Sequence, residues 1–329
     1  LLITGDLSGA QRAFAATRAA GDFTPGKTAT TRKQLRRLST ALAIDDSWID
    51  RALPQRGTLY FSGPLAREND IKEETLARAI DKFLESHETA SAFGALAAGA
   101  DIIIAERLIN AGVSLHIQLP LTPDAFLARS VAPYGDGWRR RFIACLESAQ
   151  TIDWNRNARI GPAAYRLGAR VSMGKAIAQA QALDGAAFGF FAVRRDDRGE
   201  ASVSHENERH WRSLGHAAES LTLDWPKPAP AKDDDPGGRI YAALTVTGPG
   251  AGENAAPSAV FTSQTDKGVI AAFDNAPDAV KAARTLALSN SALRFWLDAG
   301  LATEGDAAAL AGSLVTAICR PETAPGSVF

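Results

Sequence analysis

The chain has 329 residues and a formal net charge of -1, with 46% apolar and 22% charged residues. That composition predicts a globular protein of two or three domains and excludes a disordered chain. The near-zero charge excludes a global basic field for nucleic acid or acidic lipid. Cys145 and Cys319 lie far apart, which excludes a disulfide framework and a thiolate zinc site and fits a reducing, cytoplasmic compartment. No apolar run approaches the ~20 residues that crossing a bilayer requires. The chain opens on Leu1 rather than Met, so a piece of a longer protein is expected.

Residues 1–54 read as helical. Ala10, Ala13 and Phe14 form one apolar stripe and Leu35, Leu38 and Leu42 another. Trp48, Ile49 and Leu53 predict a short third helix docked on the second. Pro54 ends the pattern. Residues 55–225 then alternate strand and helix. Strands are expected at 58–61, 89–93, 113–119, 151–152, 186–193 and 221–225. Helices are expected at 71–83, 123–128, 138–146, 165–183 and 204–216, the last capped by Ser204. Such alternation implies right-handed crossovers and a doubly wound, mainly parallel, Rossmann-like α/β sheet. Residues 226–238, rich in Pro, Asp and Gly, form a linker. In residues 239–329 strands are expected at 240–246, 260–262, 269–273 and 293–297, with a helix over 277–288.

The most informative stretch is residues 91–120. Gly94 and Gly99 bracket the small-residue loop Ala95–Ala98. Asp101 opens an apolar helix that Gly112 ends, and a buried strand follows. Glycines there let backbone approach a ligand closely, and a helix start presents N–H groups to it. The competing reading is a tight strand-to-helix turn packed for its own sake, with Asp101 as a helix cap. Glu106 lies five residues after Asp101, off its helical face, and is either a pocket residue or solvated.

The glycines, Asp101 and Gly112 resemble the nucleotide-binding core of the DprA/LOG (SLOG) superfamily. Ser62-Gly63, Ala105-Glu106 and Gly135-Asp136-Gly137-Trp138 resemble a SLOG variant found beside tetratricopeptide segments. The resemblance implies a Rossmann-like domain that binds a nucleotide or nucleotide-derived ligand beside Ser62, Gly63, Gly94, Gly99, Asp101 and Glu106. The loop between the glycines is one residue longer than in the DprA branch, and that branch's helix histidine is absent. The LOG branch's Pro-Gly-Gly-x-Gly-Thr run, tied to nucleotide N-glycosidic hydrolysis, is absent as well. Gly5-Asp6, Ala10, Phe14 and Pro25 are similar to the end of a tetratricopeptide repeat, which implies a protein partner for the helical segment.

Thr265 to Phe273, then Asp274, Pro277 and Asp278, resemble the second-metal hairpin of class III adenylate/guanylate cyclases. Arg320 falls where that family keeps a phosphate-stabilising arginine. This implies a truncated α+β, ferredoxin-like domain over 239–329. Thr245 stands in place of the first metal aspartate and Thr316 in place of an asparagine. A hydroxyl cannot supply the anionic ligand that two-metal chemistry needs. An inactive module that dimerises or transmits a signal is therefore expected, with Asp266 in a turn and no metal held. A nucleotide N-glycosidic hydrolase of LOG type, a cyclase acting with an intact partner chain, and a scaffold without ligand stay open as alternatives.

Two clusters have structural explanations. Trp138, Phe142 and Cys145 fall on one stripe, which predicts core, with Arg139, Arg140 and Arg141 as a solvated face. His205, Glu206, Glu208 and His210 lack the four-residue histidine spacing of a zinc helix and predict a solvated amphipathic helix. No Ser, His and Asp group into a nucleophilic triad along the sequence.

Overall fold

Every residue of the segment Gly57–Ser62 is buried, and its apolar run forms the central strand of the larger of two sheets. The computed structural model describes residues 4–19, 21, 24–155, 161–197, 202–229, 239–252, 256–265 and 268–302. Three helices come first: α1 (Leu7–Ala19), α2 (Pro25–Ala41) and α3 (Ser47–Ala52). Pro25 and the Thr24 side chain start α2, with Thr24 Oγ1 accepting from the Lys27 N–H at 3.3 Å. Leu35, Trp48, Ile49 and Leu53 form their core, and Phe14 packs on Trp48 with ring centroids 6.2 Å apart.

The alternating region follows as β1 (Gly57–Ser62), α4 (Glu74–Ser86), β2 (Thr89–Gly94), α5 (Ala100–Asn110), β3 (Ser114–Leu119) and α6 (Pro123–Ser130). A 3-10 turn at Ala132–Tyr134 leads into α7 (Asp136–Ser148), β4 (Thr151–Trp154), α8 (Pro162–Ala182), β5 (Ala187–Arg194), α9 (Val203–Ser213) and β6 (Ala217–Leu223). Three of the sequence boundaries, all around α9, are corrected. Ser202, not Ser204, caps α9, its side chain accepting from the His205 N–H. The helix ends at Ser213, because Gly215 with φ +83° turns the chain, and the edge strand starts at Ala217.

The six strands lie in the order β4-β3-β2-β1-β5-β6. β1 pairs in parallel with β2 and β5, β2 with β3, and β5 with β6. Central strands covered on both faces need near-continuous apolar runs, which β1 and β5 supply. Helix α4 covers the sheet with Leu76, Ile80 and Phe83, spaced four and three apart on one stripe. On the opposite face Tyr60 stacks on Trp211 and packs tilted against Phe191. Each large apolar side chain buried this way stabilises the fold by about 1.5–3 kcal/mol.

Arg32 ties the N-terminal helices to this sheet. It is 4% exposed and donates to Asp50 at 2.6 Å, Asp184 at 2.8 Å and the Leu53 carbonyl at 2.5 Å. Asp184 lies just before β5 with φ +54°.

The C-terminal residues form β7 (Arg239–Thr247), β8 (Phe261–Thr265), β9 (Gly268–Phe273), α10 (Ala276–Ser289) and β10 (Arg294–Ala302). All neighbours are antiparallel in the order β10-β7-β9-β8, so β9, α10 and β10 form a split βαβ around β7. Leu244, Val246, Phe273 and Phe295 fill the core between sheet and helix. By its internal contacts the chain divides into two units. One comprises Leu1–Gln118, Phe126–Asp153 and Ala169–Ala229; the other comprises Leu119–Ala125, Trp154–Gly168 and Pro230–Phe329. Among the described residues no helix is long and apolar enough to cross a membrane.

Candidate functional site

The strand order reverses between β1 and β5. The chain steps outward from β1 through β2 and β3, then returns through α8 to place β5 on the other side of β1. In an open parallel sheet, ligands bind outside the carboxyl ends of the strands at such a switch point. Here those ends are Ser62-Gly63, Gly94 and Arg194.

Several buried polar side chains converge there. Asn207 of α9 donates its Nδ2 to Ser62 Oγ at 3.1 Å, and both residues are under 9% exposed. Asp101, 6% exposed, sits in the first turn of α5 and ties two strand ends together. Its Oδ1 accepts from the Gly63 N–H at 2.8 Å and its Oδ2 from the Ala97 N–H at 3.2 Å. Burial pushes the Asp101 carboxyl up to about 7, against the pull of the two N–H donors.

The glycines have close neighbours within the protein. A Cβ on Gly63 would lie 2.3 Å from the Ala100 Cβ, and one on Gly94 2.5 Å from the Phe61 ring. Gly99, with φ +105°, passes so near the segment after β1 that a Cβ would meet the Ala66 nitrogen at 2.7 Å. That segment lies along the start of α5: Ala100 N–H donates to the Pro64 carbonyl and Ala66 N–H to the Ala98 carbonyl. Gly63 and Leu65 remain half-buried at the mouth.

Asn207 and Arg194 are the residues that the sequence reading missed, and Arg194 carries the charge. Its side chain is 8% exposed at the end of β5. Nη2 donates to the Leu65 carbonyl, and Nη1 lies 3.6 Å from Asp197 Oδ2. Among the described residues its buried Nε has no hydrogen-bond partner. Burial pushes the guanidinium below its usual range, while Asp197 and Tyr134 act the other way. The signal was present in the sequence: Arg194-Arg195-Asp196-Asp197 follows an apolar strand directly, at the edge where ligands bind.

Glu106 belongs to a different place. It shares Arg141 with Glu73: Arg141 donates at 2.8 and 2.5 Å to Glu106 and at 2.7 and 2.9 Å to Glu73. The guanidinium also lies 4.3 Å over the Trp138 ring. Arg141 is thus a linchpin of α4, α5 and α7, which corrects its reading as a solvated arginine. Arg139 and Arg140 are exposed, and Trp138, Phe142 and Cys145 are core as expected. Beside this bridge lies a cleft of about 420 Å³ lined by Glu73, Ile103, Glu106, Arg107 and Cys145. Burial pushes the Cys145 thiol up to about 12, so it stays protonated and inert.

In the antiparallel sheet Thr245 lies on β7, 7% exposed, between Ile270 of β9 and Trp296 of β10. Asp266, Thr316 and Arg320 lie outside the described residues. No protein-family model matches the chain, and no curated protein matches it in sequence.

Proposed function

We propose that this chain is a regulatory protein whose parallel-sheet unit binds a nucleotide or nucleotide-derived ligand at the β1–β5 mouth. The observation that carries the reading is the switch point itself, where Ser62, Gly63, Asp101, Arg194 and Asn207 converge at the carboxyl ends of parallel strands. Gly94 and Gly99 bring two more backbone segments to that edge. Strand β5 would connect the mouth to the helical segment, since it starts beside Asp184, the partner of Arg32, and ends at Arg194. The helical segment would offer the surface for a protein partner. The antiparallel module would serve dimerisation or transmission without catalysis, because neutral Thr245 cannot hold a divalent cation as a carboxylate does.

The test is thermal unfolding of the whole chain against nucleotides, cyclic nucleotides and ADP-ribose derivatives. A ligand at a hundredfold its Kd adds about 2.7 kcal/mol to the unit that binds it. A selective rise in midpoint is expected, and no rise with any compound refutes the reading. A ligand-free scaffold is the second reading. It is favoured by Asp101, whose two oxygens both serve backbone N–H groups, and by protein atoms pressed against all three glycines.

A further inference from the structure

Resting on the mouth as a nucleotide-type site, a sharper question is which group there meets the ligand's charge. A guanidinium carries five N–H donors in a rigid fork and keeps its proton in proteins. When such a group is buried for structural reasons, its donors are spent in good geometry. Arg32 does this: at 4% exposure, each of its three nitrogens donates to a carboxylate or carbonyl oxygen.

Arg194, at 8% exposure, does not. Among the described residues it makes one hydrogen bond, from Nη2 to the Leu65 carbonyl. Asp197 stands 3.6 Å from Nη1, beyond hydrogen-bond length, and Nε has no partner among the described residues. Asp197 itself is 4% exposed, so a carboxylate is held in the dry interior opposite an incompletely used fork. It sits in the turn after β5, three residues beyond Arg194 and outside the sheet.

We propose that Arg194 is the anion-recognition residue of the mouth, and that a phosphate-class anion of the ligand takes the place of Asp197 on its guanidinium. Phosphate oxygens match the fork in pairs, which a single loosely placed carboxylate oxygen does not. Exchange of one anion for another keeps the buried positive charge compensated throughout. Leu65, whose carbonyl accepts from Arg194, is half-buried, as is Gly63.

The probe is inorganic pyrophosphate, titrated calorimetrically at constant ionic strength into the whole chain and its Arg194→Gln, Arg194→Lys and Asp197→Asn variants. Asp197→Asn removes the competing carboxylate, so affinity should rise about tenfold, whereas Arg194→Gln should lose about tenfold. Arg194→Lys keeps the charge without the fork and should fall between wild type and Arg194→Gln, which keeps the test available if the glutamine variant does not fold. Unchanged affinity in every folded variant, or weaker binding by Asp197→Asn, overturns the assignment. So does pyrophosphate binding to none of the proteins. If nucleotides still raise the unfolding midpoint of the Arg194 variants as they do for wild type, the ligand reading survives and Arg194 alone is removed from it.

Discussion

Replacing Asp101 by asparagine separates two opposing effects at the mouth. The carboxylate is buried and accepts two N–H bonds, at 2.8 Å from Gly63 and 3.2 Å from Ala97. Asparagine offers one oxygen, so one of those donors would face an amide NH2, which costs about 1–3 kcal/mol. Against this, burial carries the wild-type carboxyl from 3.8 up to about 7. The folded-state value lies above the unfolded one, so the protonated form favours folding. That contribution is present in full below about pH 4 and is lost as pH rises through about 7, a swing of about 4 kcal/mol. Asp101→Asn has no such swing. It should be the less stable protein at pH 4.5 and should match or exceed wild type at pH 8. Urea unfolding of both proteins across this range reads the difference directly. A difference that does not vary with pH, or that moves toward wild type as pH rises, refutes the reasoning. It would mean that the two N–H donors outweigh burial and hold Asp101 ionised throughout.

Three further outcomes are expected. Gly94→Ala drives a methyl group into the Phe61 ring, which a Cβ would meet at 2.5 Å, and should cost about 1–3 kcal/mol in urea unfolding. Arg32→Met removes the buried cation shared by Asp184 and Asp50, but Arg36 stays 2.9 Å from Asp50 and 3.4 Å from Asp184, so the loss should be about 2 kcal/mol. Limited proteolysis should then release the first three helices more readily. Arg141→Met breaks the bridge between Glu73 and Glu106, each about one-third exposed, and should cost about 1 kcal/mol, an effect that shrinks at high salt.

Local patterning made the elements legible. The stripe Leu76, Ile80 and Phe83 marked its helix, and the unbroken apolar run before Arg194 marked a central strand, because burial on one face or both writes its period into the residues. The antiparallel hairpin of β8 and β9 was legible from its two short strand runs either side of Asp266-Lys267-Gly268. Alternation of strand and helix also fixed the parallel class, since a crossover can return only through a helix. The end of α9 was misplaced because Gly215, a turn residue with φ +83°, lay inside a run read as helical.

What the sequence by itself determined is therefore the set of elements, the α/β class and the glycine turn beside Asp101. The tertiary structure alone decided their use. It placed β5 beside β1, so that Arg194 and Asn207, over 100 residues from Ser62, reach the same mouth. It turned Arg141 from a surface charge into a bridge, and it separated Glu106 from Asp101 although both lie on α5. Periodicity records which side of an element is dry. It carries no record of which distant element supplies the covering, and the pairing of buried charges depends on that neighbour.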